Sequence, residues 1–249
     1  MKISIKNFIK HNKMPIKFAS CAALLILAVF LFTYCNGYSG LHSHKRVSEG
    51  QIKVACIGDS ITYGHGISGW ARNNYPATLQ KLLGKEYNVR NYGYKGASVL
   101  DSGKKPYTES KQYRHSLEFD ADILVIMLGT NDTRKDTFTD EYDLMAQYDS
   151  LIESYKEQNP DIRVILCTPP QAFSSDSKAS GEISFGVRPA LIPTIRNYIC
   201  SYAVANGYEV VDIYDITANH AEWFEKDGVH PSNDGARAIA EAVAKKIGK

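Results

Sequence analysis

A short apolar stretch, Lys53-Val-Ala-Cys-Ile-Gly-Asp-Ser-Ile-Thr62, ends abruptly in a polar turn at Gly58-Asp59-Ser60. Residues Val54 to Ile57 form an unbroken, β-branched-rich run of few residues, which is typical of a buried central strand. Ser60 therefore follows the carboxyl end of a strand, at the edge where open α/β sheets bind ligands. This serine is a candidate nucleophile, although Gly-Asp-Ser is also a common turn sequence.

Further along the chain, strand-like and helix-like segments alternate. Strands are predicted at 88–92, 121–128, 162–167 and 208–213. Helices are predicted at 75–83 and 140–159, in a segment that ends at Gly207, and from about Ser232 onward. The helices have apolar residues on one side only, at helical spacing, whereas the 121–128 segment is apolar almost throughout and is therefore predicted to be central. This alternation predicts an α/β fold, in which helices cover both faces of a parallel sheet.

Three other loops join Ser60 at the predicted strand ends. Asn91-Tyr-Gly93-Tyr-Lys-Gly96 follows the second strand, and Gly129-Thr-Asn131-Asp132 follows the third. Asp227-Gly-Val-His230-Pro231 lies between the fifth strand and the final helix. Because the carboxyl ends of parallel strands share one edge of the sheet, we expect these loops to converge on one site.

The residue types in these loops suit acyl transfer. A serine hydroxyl is a poor nucleophile until a neighbouring imidazole takes its proton. Asp227 precedes His230 by three residues, a spacing at which a tight turn lets the carboxylate hold the ring and stabilise the imidazolium. The other histidines of this region are predicted to be structural or exposed: His65, His115 and His220. The chain has no Gly-x-Ser-x-Gly motif, which argues against an ordinary α/β-hydrolase.

The four motifs, in this order, resemble those of the SGNH (GDSL-type) hydrolases, over about residues 52 to 248. Within that family the chain is similar to the branch that includes sialate and xylan O-acetylesterases, notably in Gly58-Asp-Ser-Ile-Thr-Tyr-Gly64 and Tyr75-Pro-Ala-Thr-Leu-Gln80. The matching blocks are Gly58 to Thr62, Asn91 to Gly96, Gly129 to Asp132, and Asp227 to Pro231.

This resemblance implies a flavodoxin-like three-layer α/β/α sandwich with a five-stranded parallel sheet. It implies Ser60 as the nucleophile, with Asp227 and His230 as its triad partners. It also implies an oxyanion hole made by the backbone amides of Ser60 and Gly96 and the side chain of Asn131. Residues flanking the motifs are candidates for substrate binding, the aromatic ones because their faces suit sugar rings: Asp59, Tyr63, Trp70 and Tyr94.

No cofactor and no metal are predicted. Gly64-His-Gly66-Ile-Ser-Gly69 matches the dinucleotide-binding pattern, but that fingerprint must start directly at the strand end, where Gly58-Asp59-Ser60 lies. His42 and His44 are the only closely spaced histidines, and they lack companion ligands.

Composition and charge narrow the class of partner. The 249 residues, 44% hydrophobic and 22% charged, fit one α/β domain plus a tail. Positions 1–49 hold seven of the 29 basic and one of the 27 acidic residues, which leaves 22 basic against 26 acidic. This mildly acidic remainder has no basic stripe, so nucleic acid is not an expected partner.

The chain has five cysteines, Cys21, Cys35, Cys56, Cys167 and Cys200, which are too few and too scattered for a disulfide scaffold. Cys56 and Cys167 lie in predicted strands and are interpreted as small buried hydrophobes.

Residues 1–35 are typical of an export signal. Five lysines precede an almost purely apolar run from Phe18 to Tyr34. The length of this run lies between a signal-peptide core and a minimal membrane span, so cleavage and retention as an anchor both stay open. Lipid attachment at Cys35 is a third option, although the bulky Tyr34 departs from the usual lipoprotein signal. Residues 36–50 are predicted to be a linker and 51–249 the hydrolase domain, so membrane contact is expected only through the N-terminal segment.

The sequence thus predicts an exported serine esterase, either periplasmic, extracellular or membrane-anchored. Its expected substrate is a small-molecule or glycan ester, from which it removes a small acyl group such as acetyl. One alternative is a lipase or lysophospholipase, which requires a large apolar acyl groove. A second alternative is a nucleotide- or sugar-binding module without turnover, in which the glycine loops hold phosphate.

Overall fold

The computed structural model describes residues 27–28, 46–173 and 183–248. Every strand and helix named below belongs to the unit formed by residues 44–249. Apart from Leu27 and Ala28, the predicted signal or anchor segment lies outside the described residues, as does the predicted linker up to residue 45. Within the described ranges, no helix combines the length and the apolar character needed to cross a membrane.

Five parallel strands form one sheet in the order β2-β1-β3-β4-β5. The strands are β1 (Ile52–Gly58), β2 (Tyr87–Gly93), β3 (Ile123–Met127), β4 (Arg163–Cys167) and β5 (Glu209–Val211). This is the flavodoxin-like order, which confirms the predicted fold class. The chain reverses its direction of travel across the sheet between β1 and β3, so ligand-binding loops are expected at the carboxyl ends of these two strands.

Helices connect the strands. They are α1 (Ser60–Tyr63), α2 (Trp70–Asn73), α3 (Tyr75–Leu83), α4 (Lys111–Glu118), α5 (Glu141–Lys156), α6 (Ile192–Asn206), α7 (Ile213–Ile216) and α8 (Asn233–Ile247). Short 3-10 turns lie at Tyr107–Glu109, Asn131–Thr133, Ser184–Gly186, Pro189–Leu191 and Ala221–Trp223.

Alternate side chains of the central strands enter two separate cores, because successive residues of a strand point to opposite faces. One core includes Ala55, Ile57, Leu124, Ile126, Leu144, Tyr148, Ile152, Ile195 and Ile199. The other includes Val54, Cys56, Val125, Met127, Cys167, Leu79, Ile239, Ala240 and Val243. Helices α5 and α6 therefore cover one face and α3 and α8 the other, which makes three layers. The two strand cysteines are free and buried, as predicted.

The element boundaries follow local hydrogen bonds. Helix α3 begins where the Asn74 side chain accepts from the backbone N–H of Ala77, and α5 begins where Asp140 accepts from Asp143. Strand β5 is shorter than the predicted 208–213, because Asp212 caps α7 instead of continuing the ladder. Helix α4 has no counterpart among the predicted helices.

Two glycines bring α1 against the sheet. A Cβ atom on Gly93 would lie 2.1 Å from the backbone nitrogen of Tyr63, and one on Gly58 would lie 2.1 Å from Oγ1 of Thr62. No larger residue fits at either position unless α1 moves away. The close contact therefore fixes Ser60, the first residue of α1, at the carboxyl edge of β1.

Candidate active site

Ser60 is held in a sharp turn between β1 and α1. The side chain of Asp59 caps this helix, with its Oδ1 atom accepting from the N–H of Ile61 at 2.8 Å. Asp59 is 1% exposed, whereas Ser60 is only partly buried. The cap therefore points inward and leaves the serine hydroxyl facing the cavity.

Asp227 and His230 belong to one tight turn. Oδ1 of Asp227 accepts from the backbone N–H groups of Val229 and His230, at 2.8 and 2.9 Å. Its Oδ2 atom lies 2.7 Å from Nδ1 of His230. Gly228 has a positive φ of 71°, and a Cβ there would lie 1.7 Å from the carbonyl oxygen of Phe173. This position requires glycine for both reasons.

The turn brings the imidazole to the serine. Nε2 of His230 lies 2.9 Å from Oγ of Ser60. Burial alone would raise the pKa of the Asp227 carboxyl, but the hydrogen bonds from the His230 ring and from the His230 and Val229 amides outweigh burial and lower this pKa to about 2. Since Asp227 is then ionised, Nδ1 of His230 carries the hydrogen and Nε2 is free to accept from the serine.

Asn131 lies in the 3-10 turn that follows β3. Its side-chain nitrogen donates to Oδ2 of Asp59 at 3.1 Å and to the carbonyl oxygen of Ala97 at 2.9 Å. Burial raises the pKa of Asp59 to about 6, against the lowering effects of the Ile61 amide and of the charges on His230 and Arg134. The amide of Asn131 is therefore oriented by the same carboxylate that caps α1.

The neighbouring Asp132 holds the loop that contains Gly96. Its Oδ1 atom accepts from the backbone N–H groups of Val99 and Leu100, both at 2.9 Å. Its Oδ2 atom is buried and has no hydrogen-bond partner within the described residues. Burial raises the pKa of Asp132 to about 7, against the lowering effect of the two backbone amides. Asp132 thus fixes the loop on one side of Asn131.

These loops enclose a cavity of about 290 Å³. It is lined by Ser60, His65, Lys95, Gly96, Lys104, Lys105, Asn131, Arg134, Phe185, Val187, Val229 and His230. Gly96 has a φ of 82°, which favours glycine. In the described part of the chain its N–H has no acceptor, so it is available to a bound ligand. The structure therefore brings together Ser60, Gly96, Asn131 and His230 in one cavity, with Asp227 behind the imidazole.

The described lining of the cavity includes none of the four candidate substrate-binding residues. Tyr63 and Trp70 pack on each other with ring centroids 5.1 Å apart, and the Trp70 indole donates to the Tyr63 carbonyl. Tyr94 packs against the core on the face of the sheet that α5 and α6 cover. Asp59 accepts a hydrogen bond from the side chain of Asn131. Proximity in sequence to Ser60 placed these residues near the site, but the tight turn after β1 directs Tyr63 into the interior.

Two aromatic rings that sequence reasoning did not assign to the site surround His230 instead. The ring centroids of His65 and Phe185 lie 4.5 and 5.0 Å from that of His230. Burial, followed by the charges on His230 and Lys95, lowers the pKa of His65. His65 was predicted to be structural or exposed, and its half-buried ring also lines the cavity. The position of His65 five residues after Ser60 was the only feature of the sequence that could have indicated its place beside the site. Phe185 gave no such indication, because it lies in a loop without apolar periodicity.

Metal-ligating side chains are not clustered in the described ranges, where no three His, Cys, Asp or Glu residues are placed to hold a metal ion. The groups that the cavity offers a ligand are a hydroxyl, an imidazole, amide donors and cationic side chains.

The chain belongs to the GDSL-like lipase/acylhydrolase family, whose model matches residues 56–238. This membership confirms the family that the motifs indicated and the predicted enzyme class, a serine esterase of the GDSL/SGNH type.

Two relatives illustrate the range of the family. An acetylxylan esterase of Xylanibacter ruminicola is 29% identical in an alignment of 227 positions that covers 83% of this chain and 45% of that protein. The chain thus spans less than half the length of this relative. The uncharacterized protein YpmR of Bacillus subtilis is 23% identical in an alignment of 251 positions, gaps included, that covers 93% of this chain and 94% of that protein.

Solved structures share the fold. A carbohydrate acetylesterase of Sinorhizobium meliloti, Est24, has a TM-score of 0.64 at 19% identity and covers 80% of this chain and 99% of its own. The aryl esterase of M. smegmatis has a TM-score of 0.64 at 16% identity, with coverages of 79% and 98%. A lipase/acylhydrolase of Enterococcus faecalis has a TM-score of 0.60 at 23% identity, with coverages of 79% and 95%.

Proposed function

We propose that this chain removes small acyl groups, acetyl in particular, from carbohydrates through a Ser60-His230-Asp227 triad and an acyl-enzyme. One observation carries the proposal: a continuous line of hydrogen bonds runs from Oγ of Ser60 through both ring nitrogens of His230 to Asp227. A nucleophile, a base and a carboxylate that orients the base are the groups that acyl transfer requires.

In the proposed acylation step, Nε2 of His230 takes the proton of Ser60 while Oγ forms a bond to the carbonyl carbon of the ester. Negative charge develops on the former carbonyl oxygen, where the backbone amides of Ser60 and Gly96 stabilise it. The Asn131 side chain joins them by giving up one of its two internal hydrogen bonds, to Asp59 or to Ala97, in favour of the oxyanion. The bond to the alcohol oxygen then breaks, and the imidazolium gives its proton to that oxygen. The alcohol leaves and the acyl group stays on Ser60.

The proposed deacylation step repeats this sequence with water. His230 takes a proton from water as the water oxygen attacks the acyl carbon, and the same three amides stabilise the second oxyanion. Collapse of this intermediate breaks the bond to Oγ, which regains its proton from His230. The products are the carboxylic acid and free enzyme.

Cavity size and lining support a small acyl group over a fatty one. The volume of about 290 Å³ lies at the lower end of ordinary ligand pockets, which run from about 300 to about 1,000 Å³. Its described lining contains only three apolar side chains, Phe185, Val187 and Val229, beside several charged ones. A long acyl chain requires a continuous apolar wall, because leaving charged groups dry beside it is costly.

The names of related proteins support carbohydrates as the alcohol part. One relative is an acetylxylan esterase, and one solved neighbour is a carbohydrate acetylesterase. The N-terminal run of lysines and apolar residues supports export, which would place the enzyme among polysaccharides. Fractionation of expressing cells tests export, since recovery of the full-length chain in the cytosol alone would contradict it.

A chain-length series of p-nitrophenyl esters tests the acyl preference, run beside acetylated xylan and acetylated sialic acid. We expect kcat/KM to be highest for acetate, with acetate also released from at least one glycan. The Ser60→Ala variant should be inactive on every substrate. Ser68→Ala serves as a matched control, because this exposed serine lies in the next loop and outside the cavity lining.

Other outcomes point to the alternatives. A preference for octanoate or longer esters, with no acetate released from either glycan, would favour a lipase. Binding of a sugar or nucleotide without turnover at any pH would favour a binding module.

A further inference from the structure

Cationic side chains dominate the rim of the cavity at Ser60. Four Lys and Arg residues line it: Lys95, Lys104, Lys105 and Arg134. No carboxylate contributes to its described lining. This contrasts with positions 50–249 as a whole, in which acidic residues outnumber basic ones by 26 to 22. The positive charge is therefore concentrated at the site.

Arg134 is the best placed of these groups. Its Nε atom donates to the carbonyl oxygen of Phe185 at 2.9 Å, which fixes the plane of the guanidinium. Both terminal nitrogens lie 4.0 Å from the Cβ position of Gly96. In the described part of the chain these two nitrogens make no hydrogen bond. They are a free, oriented pair of donors, which suits the two oxygens of a carboxylate or phosphate.

The two lysines nearest Gly96 add charge at the same rim. Nζ of Lys95 lies 4.7 Å from the ring centroid of Tyr63, and Nζ of Lys105 lies 5.5 Å from that of Tyr94. Neither lysine forms a salt bridge within the described residues. Lys104 differs, because its Nζ pairs with Asp136 at 2.7 Å. Within the described residues Lys95, Lys105 and Arg134 form no salt bridge, although the charge of Arg134 also has a lowering effect on the pKa of Asp136 and of Asp59.

A second cavity adjoins the first, with which it shares three lining residues. Its volume is about 600 Å³, and it is lined by Lys104, Arg134, Lys135, Asp136, Phe185 and Gly186. Arg134, Phe185 and Lys104 are common to both walls. An ester whose acyl group lies at Ser60 thus has room for a larger alcohol part that passes Arg134.

We propose that the alcohol part of the natural ester carries an oxyanion, a carboxylate or a phosphate, which Arg134 binds with help from Lys95 and Lys105. The inference rests on the proposed esterase function and adds the charge class of the substrate. The anion is assigned to the alcohol part because the proposed acyl group, acetyl, is too small to carry a charged group of its own. A rim of one sign also raises the rate at which an oppositely charged substrate arrives.

Three monoacetylated sugars of one ring type test this inference: a methyl glucoside, the corresponding glucuronoside and the glucoside 6-phosphate, each acetylated at the same hydroxyl. For the full-length protein at low salt, we expect kcat/KM to be about 10-fold or more higher for an anionic sugar than for the neutral one, since charged hydrogen bonds are involved. The two anionic arms decide between carboxylate and phosphate. The preference should shrink as NaCl is raised from about 20 to about 500 mM.

Variants locate the anion. Arg134→Gln, Lys95→Gln and Lys105→Gln should each lower the ratio of anionic to neutral kcat/KM, with Arg134→Gln lowering it about 10-fold. Arg134→Lys should restore part of this ratio, because it keeps the charge and loses the paired donors. Lys111→Gln is the matched control, since this exposed lysine begins α4 and lies outside both cavities.

Calorimetry on the Ser60→Ala protein supplies a readout that does not depend on turnover. Tighter binding of an anionic sugar than of the neutral one supports the anion site even if the wild type hydrolyses nothing, a result that would contradict the esterase proposal alone. Equal kcat/KM for all three sugars, independent of salt and of Arg134, would overturn the anion site and leave the esterase intact.

Discussion

Asn131 donates to Asp59 inside the protein, with its side-chain nitrogen 3.1 Å from Oδ2 of the carboxylate. Asp59 also caps the helix that starts at Ser60. One buried side chain therefore sets both the nucleophile turn and the amide assigned to the oxyanion hole. Asp59, a candidate for substrate binding on sequence grounds, is better described as a positioning residue.

Asp59→Asn should separate these two functions. Asparagine keeps an oxygen for the Ile61 amide, but it no longer offers the carboxylate that orients Asn131. We expect kcat to fall by about 10- to 100-fold with little change in KM, since an oxyanion donor is misplaced and not removed. Steady-state kinetics with p-nitrophenyl acetate and thermal unfolding check this. An unchanged kcat, or a loss explained by unfolding alone, would contradict the positioning role.

Ser60→Ala and His230→Ala should each abolish turnover and leave the fold intact, because neither side chain is part of a strand or helix core. Removal of a triad member leaves only the much smaller catalysis that comes from binding and the oxyanion hole. Circular dichroism confirms folding, and rates are measured at matched concentration. Residual activity above about one thousandth of the wild type in both variants would count against the triad.

Asn131→Ala should lower kcat by about 10²- to 10³-fold, the usual loss when one oxyanion donor is removed, with a smaller effect on KM. A purely structural asparagine behaves differently. In that case thermal stability drops while the rate per folded molecule stays constant. Measuring kcat and the melting temperature on one preparation distinguishes the two.

Asp132 should make stability depend on pH between about pH 4 and about pH 7. Its pKa rises from an ordinary value of 3.8 to about 7 on folding. In that range the folded state binds more protons than the unfolded state, so the free energy of unfolding falls as the pH rises. The loss attributable to Asp132 is on the order of 2–4 kcal/mol.

Asp132→Asn tests this dependence, because asparagine still accepts from Val99 and Leu100 and does not titrate. Urea unfolding at several pH values should show a flatter profile for the variant between about pH 4 and about pH 7 than for the wild type. Asp161→Asn is the control, since Asp161 is exposed and should leave the wild-type slope in place. Identical slopes for all three proteins would show that Asp132 does not titrate in this range.

The sequence located Ser60, Asn131 and His230 because each follows a strand or begins a turn with a recognisable pattern. Turn chemistry is local, so four to six residues suffice to place these groups at the sheet edge. Strands β1, β3 and β4 were predictable for a similar reason, since buried parallel strands are short and mostly apolar.

The walls of the cavity were not predictable in this way. Phe185 and Arg134 lie in connections without apolar periodicity, and their contact joins positions 51 residues apart. The sequence did not show that the cavity lining includes His65 and not Tyr63 or Trp70, because nearness in sequence says nothing about which side of a sharp turn a ring occupies. The side on which the Tyr63 ring lies depends on a tertiary contact, the close approach of Gly93 to the Tyr63 backbone.

The hydrogen bond between Ser60 and His230 joins residues 170 positions apart. Loop closure over such a distance is a slow step in folding, since long-range contacts form only after much chain entropy is lost. With the proposed triad, a nascent chain that ends before residue 230 lacks the base that would activate Ser60. The proposed activity would therefore appear only after residue 230 has been added and has folded onto Ser60, and its return in a refolding experiment would report the formation of that contact.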